Sequence, residues 1–290
     1  MNNSIKLKQL VSAPQLLMVP GVYDGITAQL VRNSDFEACY VTGAGVSMSV
    51  VGLPDLNTVS YTEARDRVHT VTSVLGEKPV IVDVDTGYGG PLNILRMVQD
   101  FTMMGVAAVQ IEDQMMPKRC GHVLGRRIVP CEEMCRRIQV IAETRGKDGM
   151  LIIARTDSLT KHGIDEAIRR GNAFLESGAD IVFIESPEKL DDIKRIGQEI
   201  NGYKLFNNVE GGRSPFLTRE QLEQFGFNMA IYPNSIARSM IPAGLNVLKT
   251  LYAEGTTESL WPNMIRHPDM FKLFGFNELV EWESNFKVEE

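Results

Sequence analysis

The chain has 290 residues, of which 43% are hydrophobic and 23% are charged, an ordinary composition for a soluble protein with room for one large core. Its formal net charge of −7 and its acidic pI argue against a nucleic-acid-binding protein, which normally presents a basic face. No apolar run is long enough to cross a bilayer, and the first residues lack the apolar core of a secretion signal, so we expect a cytoplasmic protein without a membrane partner.

Short apolar runs of strand length recur along the chain, and a helical pattern follows each of them. The predicted strands are 16–19, 37–41, 79–84, 107–111, 150–154, 180–184, 204–206 and 229–232. The predicted helices are 24–33, 62–75, 91–104, 132–144, 164–177, 190–199, 218–224 and 236–255, with a loop predicted over 42–61. Eight strand–helix units of this length favour an α/β fold of the closed (β/α)8 type, a TIM barrel, over a doubly wound open sheet.

No linker or change in composition divides the chain, so we expect one domain over residues 1–290. Residues 256–290 follow the last predicted helix and form a helical extension. Trp261, Phe271 and Trp282 make this extension too apolar to stand in solvent. It is expected to dock on its own barrel or on a partner subunit.

Acidic side chains follow two neighbouring predicted strands. Asp83 and Asp85 lie at the end of the third strand, and Glu112 comes after the fourth. The carboxyl ends of barrel strands form the active-site face, so these oxygens suit Mg²⁺ or Mn²⁺. Asp55 could add an outer contact. The alternative is that the acids pair with Lys or Arg at the barrel mouth.

Two further segments suit the binding of a carboxylate. Thr42, Gly43 and Ala44 follow the second strand and can offer backbone N–H groups to an anion. Arg155, after the fifth strand, can hold a carboxylate through two parallel hydrogen bonds. A salt bridge from Arg155 to Glu185 inside the barrel is the alternative.

One loop combines a thiol with several cations. Cys120 lies between Lys118, Arg119 and His122, where positive charge favours a reactive thiol. A Cys–His hydrolase is one alternative, but no third residue that would orient the histidine is evident. A zinc site is another, but no further Cys or His spacing supports it. A binding protein without catalytic activity would have no use for a reactive thiol.

Several motifs together resemble the isocitrate lyase/phosphoenolpyruvate mutase superfamily. They are DVDTGYG at 83–89, IEDQ at 111–114, KRCGH at 118–122, ARTD at 154–157 and NNVEGG at 207–212. The resemblance covers roughly residues 10–285, and the KRCGH loop is specific to the carbon–carbon lyases of the superfamily. Members that form phosphonates or decarboxylate oxaloacetate lack this cysteine.

The resemblance implies a (β/α)8 barrel, a homotetramer whose C-terminal helices are swapped between subunits, and Mg²⁺ or Mn²⁺. It also implies retro-aldol (retro-Claisen) cleavage of a small 2-hydroxydicarboxylate. By similarity, Cys120 is the general acid, and Asp83, Asp85 and Glu112 hold the metal with Asp55 outside them. The residues that similarity places around the substrate are Thr42, Gly43, Ala44, Gly121, His122, Arg155, Glu185, Asn207 and Arg238.

The residues after His122 point to a substrate class. Lyases that act on tricarboxylates carry Arg, Asn and Lys at this place, whereas this chain has the apolar pair Val123 and Leu124. The pair makes the chain more similar to the 2-alkylmalate and 2,3-dimethylmalate lyases. Cleavage of 2,3-dimethylmalate gives pyruvate and propanoate. A 2-methylisocitrate lyase, giving pyruvate and succinate, is the alternative. Asn208 departs from the pattern, which has an apolar residue there.

Overall fold

The computed structural model describes residues 2–119, 121, 123 and 125–286. Its eight parallel strands pair in chain order and close into one barrel, which confirms the predicted α/β barrel fold. The strands are β1 (Leu17–Val22), β2 (Cys39–Val41), β3 (Val80–Asp83), β4 (Ala108–Glu112), β5 (Leu151–Thr156), β6 (Ile181–Ile184), β7 (Tyr203–Asn207) and β8 (Met229–Tyr232).

Helices alternate with the strands and continue beyond the last one. Those of the barrel are α1 (Asn3–Ser12), α2 (Gly25–Arg32), α3 (Gly43–Val50), α4 (Tyr61–Leu75), α5 (Pro91–Met103), α6 (Cys131–Arg145), α7 (Leu159–Glu176), α8 (Leu190–Glu199) and α9 (Arg219–Gln224). The later elements are α10 (Ser235–Glu254), a 3₁₀ helix (Glu258–Asn263), α11 (His267–Leu273) and α12 (Phe276–Ser284).

Two helices were not predicted. Helix α1 buries only Ser4, Leu7 and Val11, a stripe too sparse to stand out in a polar segment. Helix α3 lies inside the predicted loop 42–61, where its small residues resemble a turn. That helix begins because Thr42 caps it, so the prediction of an irregular loop from residue 42 was wrong.

Strand β5 is longer than predicted, and the difference changes the setting of Arg155. The strand runs to Thr156, so Arg155 lies within it rather than after it. Because side chains alternate along a strand, Arg155 and Asp157 share one side. Thr156 faces the other way, and its hydroxyl lies 2.7 Å from Oδ2 of Asp113.

Apolar side chains fill the interior of the barrel. One buried cluster joins Val19, Ile81 and Ile153 to the first residues of β1, β4, β5, β6 and β8. Leu7 and Val11 of α1 belong to the same cluster, so this helix packs at the amino ends of the strands. The carboxyl ends, where the predicted site residues lie, form the opposite mouth.

The chain divides into two compact units, one ending at Ile236 and the other beginning at Ala237. Ala237 is the one buried residue among those described in the second unit. Large apolar side chains are exposed there, including Leu248, Tyr252, Trp261 and Trp282. The interpretation of the chain as one domain with an extension stays a prediction. None of the described helices is both long and apolar enough to cross a membrane.

Candidate active site

The predicted site residues come from the carboxyl ends of neighbouring strands. Asp83 is the last residue of β3, Glu112 the last of β4, and Asn207 the last of β7. Arg155 is the residue before the end of β5, and Glu185 directly follows β6. Since the strands are parallel and the barrel is closed, these side chains share the mouth at which barrel enzymes carry catalytic groups.

The first turn of α3 lies against the acidic side chains. The Oγ1 atom of Thr42 accepts a hydrogen bond from the N–H of Gly45 at 3.4 Å and caps the helix. A Cβ atom on Gly43 would lie 3.0 Å from Oδ2 of Asp83 and 3.4 Å from Oδ1 of Asp85, so a larger residue would crowd both carboxylates. The N–H groups at this helix terminus, which attract anions, therefore adjoin the predicted metal ligands.

One side of the mouth, the acidic half, consists of Asp55, Asp83, Asp85 and Lys118. The buried Nζ of Lys118 lies 2.5 Å from Oδ1 of Asp55 and 2.6 Å from Oδ1 of Asp85. Oδ1 of Asp83 accepts hydrogen bonds from the backbone N–H of Asp85 at 3.1 Å and from Nε2 of Gln110 at 3.3 Å. Pairing of the acids with a lysine, the alternative considered above, is present in this half.

Burial dominates the protonation of these groups. It raises the pKa of Asp85 to about 6, although Lys118 opposes the shift. Burial also raises the pKa of Glu112 well above its ordinary value, against the influence of Arg155. For Lys118, burial lowers the pKa, but the surrounding carboxylates outweigh it and hold the pKa well above its ordinary value. The nearby cations therefore do not offset the cost of ionising the two buried carboxylates, whereas Lys118 stays protonated.

The other side of the mouth, the arginine half, consists of Arg126, Arg155, Glu112, Asp157 and Glu185. Nε and Nη2 of Arg155 each lie 3.0 Å from an oxygen of Asp157, which is a bidentate pair. The same guanidinium lies 3.4 Å from Oε2 of Glu112 and 3.3 Å from Oε2 of Glu185. Arg126 forms a second ion pair with Asp157. The salt bridge from Arg155 to Glu185, foreseen as an alternative, is thus present.

Residues 118–125, the cysteine loop, are attached at both ends. Before the cysteine, Gln114 exchanges two hydrogen bonds with the backbone of Arg119, at 2.9 and 3.0 Å. After it, Nη2 of Arg126 donates to Oγ1 of Thr160 at 2.7 Å, in addition to its pair with Asp157. Gly121 is buried, and Val123 is 48% exposed. Cys120, His122 and Leu124, which carry three of the predictions above, lie outside the described residues.

Two other predicted residues stand apart from this arrangement. Arg238 is an exposed residue of α10 in the unit that begins at Ala237, and its part in the substrate site stays a prediction. Asn208 is fully buried and binds the backbone of Leu217 through two hydrogen bonds, at 2.8 and 3.1 Å. Its amide thus anchors the segment after β7.

The mouth fits a divalent cation by charge. Its two halves hold six carboxylates against the cations of Lys118, Arg126 and Arg155. Oε1 of Glu112 is buried and has no hydrogen-bond partner among the described residues. Within the same ranges, no group of three His, Cys, Asp or Glu side chains is arranged to hold a metal ion. In the described arrangement, Lys118 binds an oxygen of Asp85, which the prediction assigns to the metal, and an oxygen of Asp55, which it places outside the metal ligands.

Three residues at the mouth were missed by sequence reasoning. The hydroxyl of Tyr40 lies 2.5 Å from Oε1 of Gln110, whose amide in turn holds Asp83. Gln110 interrupts an apolar strand, and that polar residue was an available signal. Ser186, whose Oγ lies 3.1 Å from the carbonyl oxygen of Gly121, carries no signal in the sequence.

The family model for phosphoenolpyruvate phosphomutase matches residues 7–252. A protein of Eubacterium barkeri named 2,3-dimethylmalate lyase is 41% identical over 286 residues, which cover 99% of each chain. A 2-methylisocitrate lyase of Halalkalibacterium halodurans is 34% identical over 280 residues, covering 97% of this chain and 92% of that protein.

Among solved structures, oxaloacetate acetylhydrolase in complex with the inhibitor 3,3-difluorooxalacetate superposes with a TM-score of 0.93. The two chains are 31% identical, and the match covers 98% of this chain and 97% of the other. The fold of this chain is therefore shared with enzymes whose names refer to different small substrates.

Proposed function

Because this chain belongs to the phosphoenolpyruvate mutase/isocitrate lyase superfamily, we propose that it is a carbon–carbon lyase that cleaves 2,3-dimethylmalate to pyruvate and propanoate. The observation that carries the proposal is the 41% identity to a 2,3-dimethylmalate lyase over 99% of both chains. The apolar residues Val123 and Leu124, which follow His122 in the sequence, support a substrate that carries a methyl group instead of a third carboxylate.

In the proposed reaction, a base takes the proton of the hydroxyl group on C2, and the C2–C3 bond breaks. The C2 fragment becomes pyruvate, and the electron pair of the broken bond forms an enediolate from C3 and its carboxylate. Cys120 then donates a proton to C3, which completes propanoate. The N–H groups of the first turn of α3 would hold the carboxylate of the pyruvate half. Arg155 would offset the negative charge that grows on the departing carboxylate.

A divalent cation, Mg²⁺ or Mn²⁺, belongs to this proposal. Asp83, Asp85 and Glu112 would hold it, and Asp55 would lie outside them. A cation bound there lowers the pKa of a neighbouring hydroxyl group and polarises a carbonyl oxygen. The surplus of carboxylates at the mouth supports this assignment, as does Oε1 of Glu112, which has no hydrogen-bond partner in the part of the chain that the structure describes.

The test is a panel of 2-hydroxydicarboxylates with added Mg²⁺, with pyruvate release as the measurement. We expect kcat/KM for 2,3-dimethylmalate to exceed that for 2-methylisocitrate by about a hundredfold, because an apolar wall leaves an extra carboxylate without a partner. Comparable values for the two would reject the assignment. Faster turnover of oxaloacetate than of either substrate would point to a hydrolase instead.

The identity to a 2-methylisocitrate lyase over nearly the whole chain makes that activity the second candidate. The two candidates differ at the end of the substrate that carries a methyl group or a third carboxylate, so the same panel separates them. A metal-free Cys–His hydrolase is separated by chelation. Activity that survives exhaustive treatment with EDTA would contradict either lyase.

We infer that the protein assembles as a homotetramer through its C-terminal unit and acts in the cytoplasm. Exposed apolar side chains in this unit, such as Leu248, Tyr252, Trp261 and Trp282, support assembly. Analytical ultracentrifugation should give the mass of four chains, and the Trp282→Glu variant should give smaller species. A monomeric wild-type protein would contradict the assembly, and cell fractionation tests the location.

A further inference from the structure

We propose that Asp113 is a positioning residue that fixes the Arg155–Asp157 pair from the outer face of the barrel, an inference that rests on the lyase function proposed above. Asp113 directly follows β4 and is fully buried. Its backbone N–H donates to the carbonyl oxygen of Arg155 at 3.2 Å. Its side chain binds the next two residues, Thr156 and Asp157, so one acidic residue contacts three consecutive positions at the end of β5.

The contact with Asp157 lies where the hydrogen bonds of the sheet end. Strand β5 ends at Thr156, and its register with β4 ends at Glu112 and Arg155. Oδ1 of Asp113 accepts a hydrogen bond from the backbone N–H of Asp157 at 2.9 Å, in place of a further strand partner. Because the Asp157 carboxylate forms the bidentate pair with Arg155, fixing the backbone of Asp157 also fixes the plane of the guanidinium group.

The second carboxylate oxygen of Asp113 is held by a strand and by a helix. Oδ2 accepts hydrogen bonds from the hydroxyl group of Thr156 at 2.7 Å and from Nη1 of Arg170, in α7, at 3.0 Å. Nε of Arg170 in turn donates to Oε1 of Glu166 at 2.8 Å. Both oxygens of Asp113 therefore have donors, and the carboxylate lies against α7, so its effect on the mouth is exerted through Asp157 and Arg155.

The surroundings of Arg155 give this positioning a consequence. Besides Asp157, the guanidinium group lies 3.4 Å from Oε2 of Glu112 and 3.3 Å from Oε2 of Glu185. If Asp157 were not held, the guanidinium group could turn toward either of these carboxylates. A cation that stabilises charge in a transition state is most effective when its orientation is set before the reaction. Asp113 thus selects Asp157 as the bidentate partner of Arg155.

The opposite end of the same strand provides a matched control. Oδ2 of Asp180 accepts a hydrogen bond from the backbone N–H of Ile152 at 2.8 Å, and Asp180 pairs with Arg145 of α6. Asp180 therefore holds β5 through the same kind of contact as Asp113, but at the amino end, away from the mouth. Its substitution should change stability without an effect that depends on Arg155.

The first test is a double-mutant cycle on kcat, in which Asp113→Ala and Asp180→Ala are each combined with Arg155→Lys. We expect Asp113→Ala to lower kcat about thirtyfold with little change in KM, the scale of one lost hydrogen bond to a charged group. In the Arg155→Lys background, the same substitution should lower kcat less than about threefold, because the residue through which Asp113 acts has already changed. Asp180→Ala should change kcat by less than about twofold in either background.

Independent, multiplicative losses from Asp113→Ala and Arg155→Lys would overturn the proposal, since a merely structural role gives that result. If Asp113→Ala does not fold, Asp113→Asn takes its place in the cycle. Asparagine keeps an oxygen for the N–H of Asp157, so we expect only about a threefold loss of kcat, again absent from the Arg155→Lys background. Equal losses from Asp113→Asn in the two backgrounds would likewise overturn the proposal.

The second test needs no substrate. Phenylglyoxal reacts with the N–H groups of a guanidinium group, which in Arg155 are engaged by Asp157. We expect modification of Arg155, mapped by peptide mass spectrometry, to be about fivefold faster in Asp113→Ala and unchanged in Asp180→Ala. Equal rates in wild type and Asp113→Ala would contradict the positioning of Arg155 by Asp113.

The two tests separate this inference from the proposed function. If no 2-hydroxydicarboxylate is cleaved but the modification rates differ as expected, the lyase function fails and the positioning role of Asp113 stands. If cleavage proceeds and the modification rates do not differ, the positioning role fails and the function stands.

Discussion

The two halves of the barrel mouth differ in burial and in how they hold their charges: the three acids of the acidic half are partly buried, whereas the residues of the arginine half are all buried. In the acidic half, Asp55 and Asp85 share the ammonium group of Lys118, and Asp83 accepts hydrogen bonds from two neutral donors. In the arginine half, planar guanidinium groups meet carboxylates, including the bidentate pair of Arg155 with Asp157. The comparison indicates that the acidic half is suited to gain a cation, whereas the arginine half is a preorganised framework.

The largest expected effect comes from Asp85→Ala. We expect kcat/KM to fall by at least about a thousandfold, the scale on which loss of metal catalysis acts. In EDTA, however, the melting temperature should stay equal or rise, because burial makes the Asp85 carboxylate costly to ionise. Pyruvate release and thermal unfolding measure the two effects.

The exposed Asp35 provides a matched control for this variant. Asp35→Ala should change neither kcat/KM nor the melting temperature. Full activity of Asp85→Ala, or marked destabilisation of this variant in EDTA, would contradict the conclusion that the acidic half is suited to gain a cation.

The next effect comes from Arg155→Lys in the arginine half. Lysine keeps the charge but cannot make the bidentate pair with Asp157 while also reaching Glu112 and Glu185. We expect kcat/KM to fall about a hundredfold. The free energy of unfolding should fall by about 3 kcal/mol, since a buried ion pair is broken. Steady-state kinetics and urea unfolding check these values.

Arg169→Lys is the control, because Arg169 also binds a carboxylate, that of Glu166, but is 55% exposed. Weakening this exposed ion pair in Arg169→Lys should lower the free energy of unfolding by less than about 1 kcal/mol. If Arg155→Lys proves as stable as wild type, the arginine half is not the framework that its contacts indicate.

A smaller effect is expected when positive charge is added to the mouth. A third substrate carboxylate would enter a mouth that already holds more acids than cations. Val123→Arg supplies a guanidinium group, so the ratio of kcat/KM for 2-methylisocitrate to that for 2,3-dimethylmalate should rise about tenfold. Val123→Leu is the apolar control and should leave the ratio unchanged. An equal rise in both variants would show that size, not charge, sets the preference.

The smallest effect is expected at Glu166, a partly exposed residue that is linked to the neighbourhood of Glu112 through Arg170 and Asp113. Asp113, next to Glu112, binds Arg170, which binds Glu166. Hydrogen bonds from Arg169 and Arg170 lower the pKa of Glu166 to about 2, despite partial burial. The stability that ionised Glu166 contributes to the folded state is therefore complete above its unfolded pKa near 4.5, and it is lost as the pH falls toward 2.

Glu166→Gln should thus lower the free energy of unfolding by about 1 kcal/mol or less at pH 7, and by less at pH 3.5. Urea unfolding at the two pH values measures the change. A larger loss at pH 3.5 than at pH 7 would contradict the sign.

The barrel itself was predictable because the strands are short and mostly apolar, as parallel strands covered on both faces need to be, and a helical pattern follows each of them. The acids at the ends of β3 and β4 were predictable for the same reason, since parallel strands bring their carboxyl ends together. Helix α3 was not, because its glycines resemble a turn until the cap at Thr42 is seen. The position of Arg155 inside β5 was missed because a charged residue normally marks the end of an apolar strand.

The pairing at the mouth depends on contacts between residues far apart in the chain. Lys118 and Asp55 are separated by 63 positions, and no local pattern indicates that they meet. The backbone of Ser186 has a φ angle of +56°, which its sequence neighbours do not specify. Sequence reasoning could therefore name the acids and the cysteine loop, but not how the protein neutralises the acids or holds the loop.

The two attachments of the cysteine loop have a consequence for how its thiol could be replaced. Arg119 is held by Gln114 and Arg126 by Asp157, and only six positions of the sequence separate these two anchored residues. So short a tether gives its side chains a high effective concentration at the mouth. A free thiol or carboxylic acid in solution has no such advantage. Chemical rescue of a Cys120→Ala enzyme by small external acids should therefore be inefficient, even when the acid has a suitable pKa.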